Sequence, residues 1–384
     1  VRGECTTRIV HVIVGLDIGG AELMLKRLIQ AYAQDARYRH SVIVLTTPGP
    51  VGAELRAQGV EVEALGLRGA LDVLPKMFTL TRMIRKARPD IVQTWMYHAD
   101  LLGGLAARLA GRQSIIWGIR TTEVAAGGAR ATAMVRWLCA RLSRRVPCVT
   151  VCAAEASRRR HVALGYDRRR MVVVPNGFDL ARLQATSAQA AAVRARAGLE
   201  RDALVVGTVG RFHESKDPRN FVRAAGLLAR AHPEARFLMV GRGCDDDNRT
   251  LRRWIDETGH GDRFRLLGQR EDVPACLAAL DVFCLPSRTE GFPNVVGEAM
   301  AMRRACVVTD AGDAAHLLGE CGVVVPREDA AALAAGMARL LRMSAAERDA
   351  LGARAHARIA AEFTMARTRD RFEAIYLDVL KSRH

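Results

Sequence analysis

Two glutamates, Glu290 and Glu298, stand with seven residues between them around a Gly-Phe-Pro-Asn turn, in the stretch S-R-T-E-G-F-P-N-V-V-G-E-A-M over residues 287–300. Ionised carboxylates accept hydrogen bonds and donate none, so a pair of them suits a ligand rich in hydroxyls. Residues 282–285 are a short apolar run of the kind that makes a buried strand, and a helical pattern begins at Val295. The turn therefore joins a strand's carboxyl end to a helix's amino end, which is where open α/β sheets bind ligands. Unpaired amides at the helix start favour an anion. Together these features point to a ligand that carries both hydroxyls and phosphate.

A second stretch, G-R-F-H-E-S-K-D-P over residues 210–218, sets Arg211 and Lys216 around another turn between a strand and a helix. Two cations so placed suit a diphosphate better than a solvated face. Near the start, L-D-I-G-G-A-E follows the β-branched run 8–15. Its Gly19 and Gly20 lack the G-x-G-x-x-G spacing of dinucleotide sites. They permit a close backbone approach to a ligand, and equally a tight turn that needs small residues. Two further strand ends carry polar groups: Tyr97, His98 and Asp100 in W-M-Y-H-A-D, and Arg120, Thr121, Thr122 and Glu123 in G-I-R-T-T-E. Both are expected to open at the sheet edge beside Gly19 and Gly20. A lone histidine there serves as a cap or surface group as readily as a substrate contact.

The elements that must hold these residues alternate regularly. Strands are expected at 8–15, 40–46, 60–65, 91–94, 114–119, 148–151 and 171–174, with helices at 23–32, 52–58, 73–88, 100–110, 129–144 and 154–164. A Pro-Asn-Gly turn at Pro175 and an alanine-rich polar stretch over 185–196 change the rhythm. The pattern restarts at Ala203, with later strands at 236–240, 264–267, 282–285, 306–309 and 322–325. The expected fold is α/β: two doubly wound, Rossmann-like domains facing across a cleft. The first spans 1–175 and the second 176–363. A long amphipathic helix follows over 364–384, and its periodicity does not say on which domain it packs.

The chain has 384 residues and a formal net charge of +17, nearly all of the excess being arginine. Such a balance favours an anionic partner. Nucleic acid is disfavoured, because only 5 % of residues are aromatic and no nucleic-acid-binding motif is present. The nine cysteines are scattered singly, as buried thiols in a reducing compartment would be. No apolar run reaches the length of a membrane span, and no signal-peptide core is seen, so a cytoplasmic location is expected. Residues 134–145 carry an apolar stripe of Met134, Trp137, Leu138 and Leu142 among arginines. Either a core-packed helix with a solvated face or a helix lying on an anionic inner-membrane surface would show that pattern.

G-G-A-E at 19–22, P-N-G-F-D at 175–179, G-R-F-H-E-S-K-D at 210–217 and E-G-F-P-N-V-V-G-E at 290–298 resemble the motifs of glycosyltransferase family 4. These are retaining nucleotide-sugar enzymes with the two-domain GT-B fold, which implies that 1–175 is the acceptor side, that 176–363 binds the nucleotide-sugar, and that the helix 364–384 crosses back to the first domain. The stretch W-M-Y-H-A-D-L-L-G-G-L-A-A-R further resembles members acting in bacterial surface-polysaccharide assembly. The resemblance implies that Arg211 and Lys216 neutralise the donor diphosphate, that Glu290 meets the donor sugar, and that Glu298 takes the ribose hydroxyls. The backbone of Gly291, Phe292, Pro293, Asn294 and Val295, as a run, would hold sugar and phosphate, with Gly19 and Gly20 bordering them. It implies no cofactor and no divalent metal, a UDP-sugar as donor and a lipid-linked or saccharide acceptor. Many members place a histidine after the strand corresponding to 114–119. Here Arg120 and Thr121 stand in that place, and they compete with His98 and Tyr97 for the acceptor side. The loop D-A-G-D-A-A-H at 310–316 also departs from the family's usual glycine-rich acidic form. Two other readings compete with transfer: a sugar-nucleotide epimerase or phosphorylase of the same fold, and a basic membrane- or nucleic-acid-binding protein.

Overall fold

In the computed structural model, residues 6–122, 130–200 and 202–382 are described. Glu123 and the first residue of the helix expected at 129–144 lie outside them. The chain divides into two compact units, Val1–Gly177 with Met365–His384, and Phe178–Thr364.

In the first unit, β1 (Thr7–Ile13), β2 (Tyr38–Val44), β3 (Glu61–Ala64), β4 (Ile91–Trp95), β5 (Ile115–Ile119), β6 (Val149–Cys152) and β7 (Met171–Val173) form one parallel sheet. Their order is β3-β2-β1-β4-β5-β6-β7. The register sets Ile9 beside Ile91 and Ile13 beside Trp95. Side chains alternate faces along a strand. Accordingly Val10 and Val12 enter one apolar layer, and Ile9 and Ile13 enter another. A sheet covered on both faces needs nearly continuous apolar strands, which is why β1 and β4 read as such runs.

The helix Met365–Lys381 belongs to this first unit. Phe372 and Tyr376 are fully buried in the layer beneath Ile9 and Trp95, and the Tyr376 hydroxyl donates to Gln93 Oε1 at 2.6 Å. Each such ring is worth about 1.5–3 kcal/mol of burial, enough to make this helix part of the core.

In the second unit, β8 (Leu204–Val209), β9 (Ala235–Val240), β10 (Phe264–Leu266), β11 (Val282–Leu285), β12 (Ala305–Thr309) and β13 (Gly322–Val325) also pair in parallel, in the order β10-β9-β8-β11-β12-β13. In each sheet the strand order reverses at one place, between β1 and β4 and between β8 and β11. That crevice is where doubly wound sheets take ligands. The loops after β8 and β11 carry Arg211, Lys216 and Glu290.

Candidate active site

The second unit brings its two polar loops together. After β8 a short turn, Glu214–Lys216, is capped by His213, whose Nδ1 accepts from the Ser215 amide at 3.2 Å. Asp217 follows with φ of 44° and caps the helix Pro218–Ala231 by accepting from the Asn220 amide. After β11 the chain turns at Ser287, which is fully buried. The Lys216 ammonium donates to Glu290 Oε1 at 2.6 Å, and the Ser287 hydroxyl donates to the same oxygen at 2.7 Å. Glu290 itself is only 9 % exposed, whereas Lys216 is partly exposed, so the carboxylate is shielded while the ammonium can reach solvent or a ligand.

Backbone bonds fix the loops around that pair. The Ser215 carbonyl accepts from the amides of Arg288 and Thr289, the Ser287 carbonyl accepts from the Thr309 hydroxyl, and the Gly291 carbonyl accepts from the Asp313 amide. Gly312 lies at φ of 60°, and a Cβ there would sit 2.4 Å from the Glu290 carbonyl oxygen. Only glycine fits at that position. The altered loop 310–316 is thus the third wall of the site.

Other residues expected to hold the donor lie along the same edge. Arg211 is exposed at the end of β8 and makes no hydrogen bond or ion pair with a described residue, so its guanidinium is available to an anion. The helix Asn294–Ala301 starts with Pro293 at its cap and no side-chain cap bond. Phe292 points the other way, its ring 6.1 Å from that of Phe178 and 5.9 Å from that of Phe363. Phe292 and Pro293 are buried, so what they can offer a ligand is backbone. Gly297 lets the helix lie on Phe178, where a Cβ would come within 2.0 Å of the ring. Glu298 is half-buried one turn into the helix.

Arg288 is a residue that motif spacing did not single out. Its Nε donates to Asp217 Oδ2 at 2.9 Å and its Nη1 to Glu214 Oε1 at 3.2 Å. It therefore braces the cationic turn against the acidic loop. The signal was a cation two residues before Glu290, next to a turn that carries two acids.

The first unit corrects several expectations. The helix expected from Asp100 begins three residues earlier, as Tyr97–Leu109, with Met96 at φ 72° and ψ 160° as its cap. That strained turn makes Tyr97 and His98 helical residues rather than loop residues. Tyr97 does not open at the sheet edge: it is 3 % exposed, and its hydroxyl donates to His161 Nε2 at 2.6 Å, because the His161 Nδ1 proton is held by the Ser157 carbonyl. Asp100 is also interior, accepting from the Thr94 hydroxyl and the Gly118 amide; burial pushes its carboxyl up to about 8.

Arg120 turns inward as well. Its guanidinium lies 4.7 Å from the centre of the Trp95 ring and 5.7 Å from that of Phe372, and donates to Asn176 Oδ1 at 3.0 Å. Its Nε and Nη2 are enclosed without partners among the described residues, and burial lowers its pKa to about 10. Cation–π contact with two rings keeps it there. Arg120 thus ties the C-terminal helix and Asn176 to the end of β5. The Thr121 carbonyl accepts from the Ser157 hydroxyl at 2.7 Å. His98 is half-buried in the first helical turn and has no hydrogen bond to a described residue; burial lowers its pKa.

At Gly19 and Gly20, the helix Gly20–Ala31 starts immediately, three residues before the expected position. The Glu22 carboxylate lies over this turn, its Oε2 2.3 Å from where a Cβ at Gly19 would sit, and burial with nearby Asp17 raises its pKa.

Known families and solved structures resemble this chain. The model described as Glycosyltransferase Family 4 matches residues 18–182, and that described as Glycosyl transferases group 1 matches residues 203–343. Among curated relatives, an Escherichia coli UDP-Gal:alpha-D-GlcNAc-diphosphoundecaprenol alpha-1,3-galactosyltransferase is 28 % identical over 62 % of each chain, so the match spans less than two thirds of its length. The Rhizobium meliloti lipopolysaccharide core biosynthesis glycosyltransferase LpsE is 25 % identical over 98 % of this chain and 99 % of its own. Anabaena HepE, solved in complex with UDP, superposes with a TM-score of 0.84 at 20 % identity over 96 % of this chain and 99 % of its own. Sucrose-phosphate synthase from Thermosynechococcus elongatus gives 0.78 at 19 % identity over 98 % and 100 %. These likenesses establish the GT-B fold. With both family models matched in tandem along one GT-B chain, the protein belongs to glycosyltransferase family 4.

Proposed function

We propose that the protein is a retaining hexosyltransferase that moves a hexose or N-acetylhexosamine from a UDP-sugar to a lipid-linked or saccharide acceptor in cell-surface polysaccharide or lipopolysaccharide synthesis. The observation that carries this reading is the Lys216–Glu290 pair, held by three fused loops at a carboxyl sheet edge with Arg211 exposed beside it. A diphosphate arriving there offers Lys216 a doubly charged partner in place of one carboxylate. Glu290, still anchored by Ser287, is then available to the sugar hydroxyls. As the bond between the sugar's anomeric carbon and the diphosphate breaks, the electron pair leaves with UDP. Lys216 and Arg211 stabilise the charge that develops, and the acceptor hydroxyl oxygen bonds to the same face of the sugar while its proton passes to the departing diphosphate. Glu298 meets the ribose.

The relatives support the nucleotide-sugar donor: one is named for UDP-galactose transfer to a diphosphoundecaprenol-linked sugar, and one was solved with UDP. The two cations supply the charge that a divalent metal would supply elsewhere. UDP release from UDP-sugars is the test. Lys216→Ala or Glu290→Ala is expected to lower it by about 100-fold or more, and chelating divalent metals to leave it unchanged. Full activity in both variants would refute the assignment.

A further inference from the structure

The first unit leaves large apolar side chains in solvent at one end. Leu71, Leu74 and Phe78 are 97 %, 76 % and 80 % exposed, on the short turn Ala70–Asp72 and the helix Val73–Ala87 that follows it. Their spacing puts them on one face. On the helix Arg130–Leu142, Met134 and Trp137 are 58 % and 52 % exposed, with the Arg141 guanidinium 4.7 Å from the centre of the Trp137 ring. The opposite faces of both helices are already in the core, through Leu80, Ile84, Cys139 and Ala140. The exposed set is therefore not core left uncovered.

Both helices pack against the helix Tyr97–Leu109. In a parallel sheet each helix begins at a strand's carboxyl edge, so the first two turns, which carry Leu74, Phe78, Met134 and Trp137, lie at the edge where His98 stands. Residues 68–88 and 130–145 hold eleven lysines and arginines against one acid, Asp72. Apolar stripes ringed by cations match the headgroup level of an anionic bilayer, with tryptophan at the interface and long basic side chains reaching the phosphates. Nucleic acid would use the cations but leave Leu71, Leu74 and Phe78 without an apolar partner.

We propose that these two helices together form a docking face for an anionic lipid bilayer, which delivers a membrane-embedded acceptor to the edge beside His98. The acceptor half of this statement rests on the transferase reading. The docking half does not, because it is measured without turnover.

The test is co-sedimentation of the full chain with vesicles of phosphatidylcholine alone and with one third phosphatidylglycerol, at low and high salt. Binding to the anionic vesicles is expected to be about tenfold tighter or more and to weaken with salt. The triple variant Leu74→Ser, Phe78→Ser and Trp137→Ser is expected to lose about tenfold or more of that binding while its melting temperature falls by at most a few degrees, since Leu74 and Phe78 lie in solvent and Trp137 is half exposed. Equal binding to both vesicle types, or wild-type binding by the variant, would overturn the proposal. So would a concentration-dependent dimer in sedimentation velocity that the triple variant abolishes, because the face would then belong to a second copy. Vesicle binding that persists in a chain unable to bind UDP would leave the docking face standing and remove the transferase reading alone.

Discussion

Glu290 Oε1 accepts from Lys216 and from Ser287 at once, and that double contact defines what single substitutions at this edge should do. Ser287 holds the carboxylate in place whichever partner Lys216 has, so Glu290 keeps its orientation when the ammonium turns to a phosphate. Arg288 acts one step further out, on the turn that presents Lys216. Its pair with Glu214 is exposed and contributes little to stability, and Asp217, though buried, keeps the Asn220 amide as a partner. Arg288→Ala should therefore move the melting temperature by only a few degrees while lowering kcat/KM for UDP release about 10- to 100-fold, because a small misplacement of Lys216 costs more than the lost contacts. Unchanged kinetics in that variant would remove Arg288 from the site's support. The Gly312 position is less forgiving. Gly312→Ala forces both an unfavourable backbone and a clash with the Glu290 carbonyl, and should destabilise the second unit by about 1–3 kcal/mol in chemical denaturation.

At the scale of elements, a buried polar cluster couples β1, β2 and β4. The Trp95 indole donates to His11 Nδ1 at 3.2 Å, which leaves the His11 proton on Nε2 to donate to His40 Nδ1 at 2.9 Å. His40 then carries its own proton on Nε2, enclosed and without a partner among the described residues. Neither ring can gain a proton without facing a donor. Burial lowers His11 well below its usual range, with His40 adding to the shift, and burial lowers His40 to about 4 against the opposing pull of Asp35. The unfolded chain binds these protons near pH 6.5 and the folded chain does not, so stability is fully present above about 6.5 and is lost as pH falls toward 4. For His40 alone the loss is on the order of 3 kcal/mol. Melting curves across that range should show the decline, and His40→Gln should flatten it; an equal slope in both proteins would count against the coupling.

The strands and most helices were legible because apolar runs and turn residues mark them. Which polar residue at a strand end faces outward was not. Tyr97 and Asp100 looked like edge residues because the strained turn at Met96, which starts the helix early and swings both inward, leaves no trace in periodicity. Arg120 reads as an exposed strand-end residue because its two aromatic partners come from β4 and from a helix more than 240 residues away in sequence. The stripe of Leu71, Leu74 and Phe78 has the spacing of a core face, and only the fold reveals that another face of that helix took the core.

For the whole molecule, the +17 charge gains a spatial meaning. Part of it lines the carboxyl edge of the second unit, at Arg211 and Lys216, and part surrounds the exposed apolar side chains of the first. The first fits a donor diphosphate and the second an anionic bilayer. The central claim is that the Arg211 and Lys216 edge binds the donor's diphosphate, and titration calorimetry with UDP tests it most directly. Wild type is expected to bind UDP, and the double variant Arg211→Ala, Lys216→Ala to lose about tenfold or more in affinity while keeping its fold. Equal affinity in the two proteins would contradict the account.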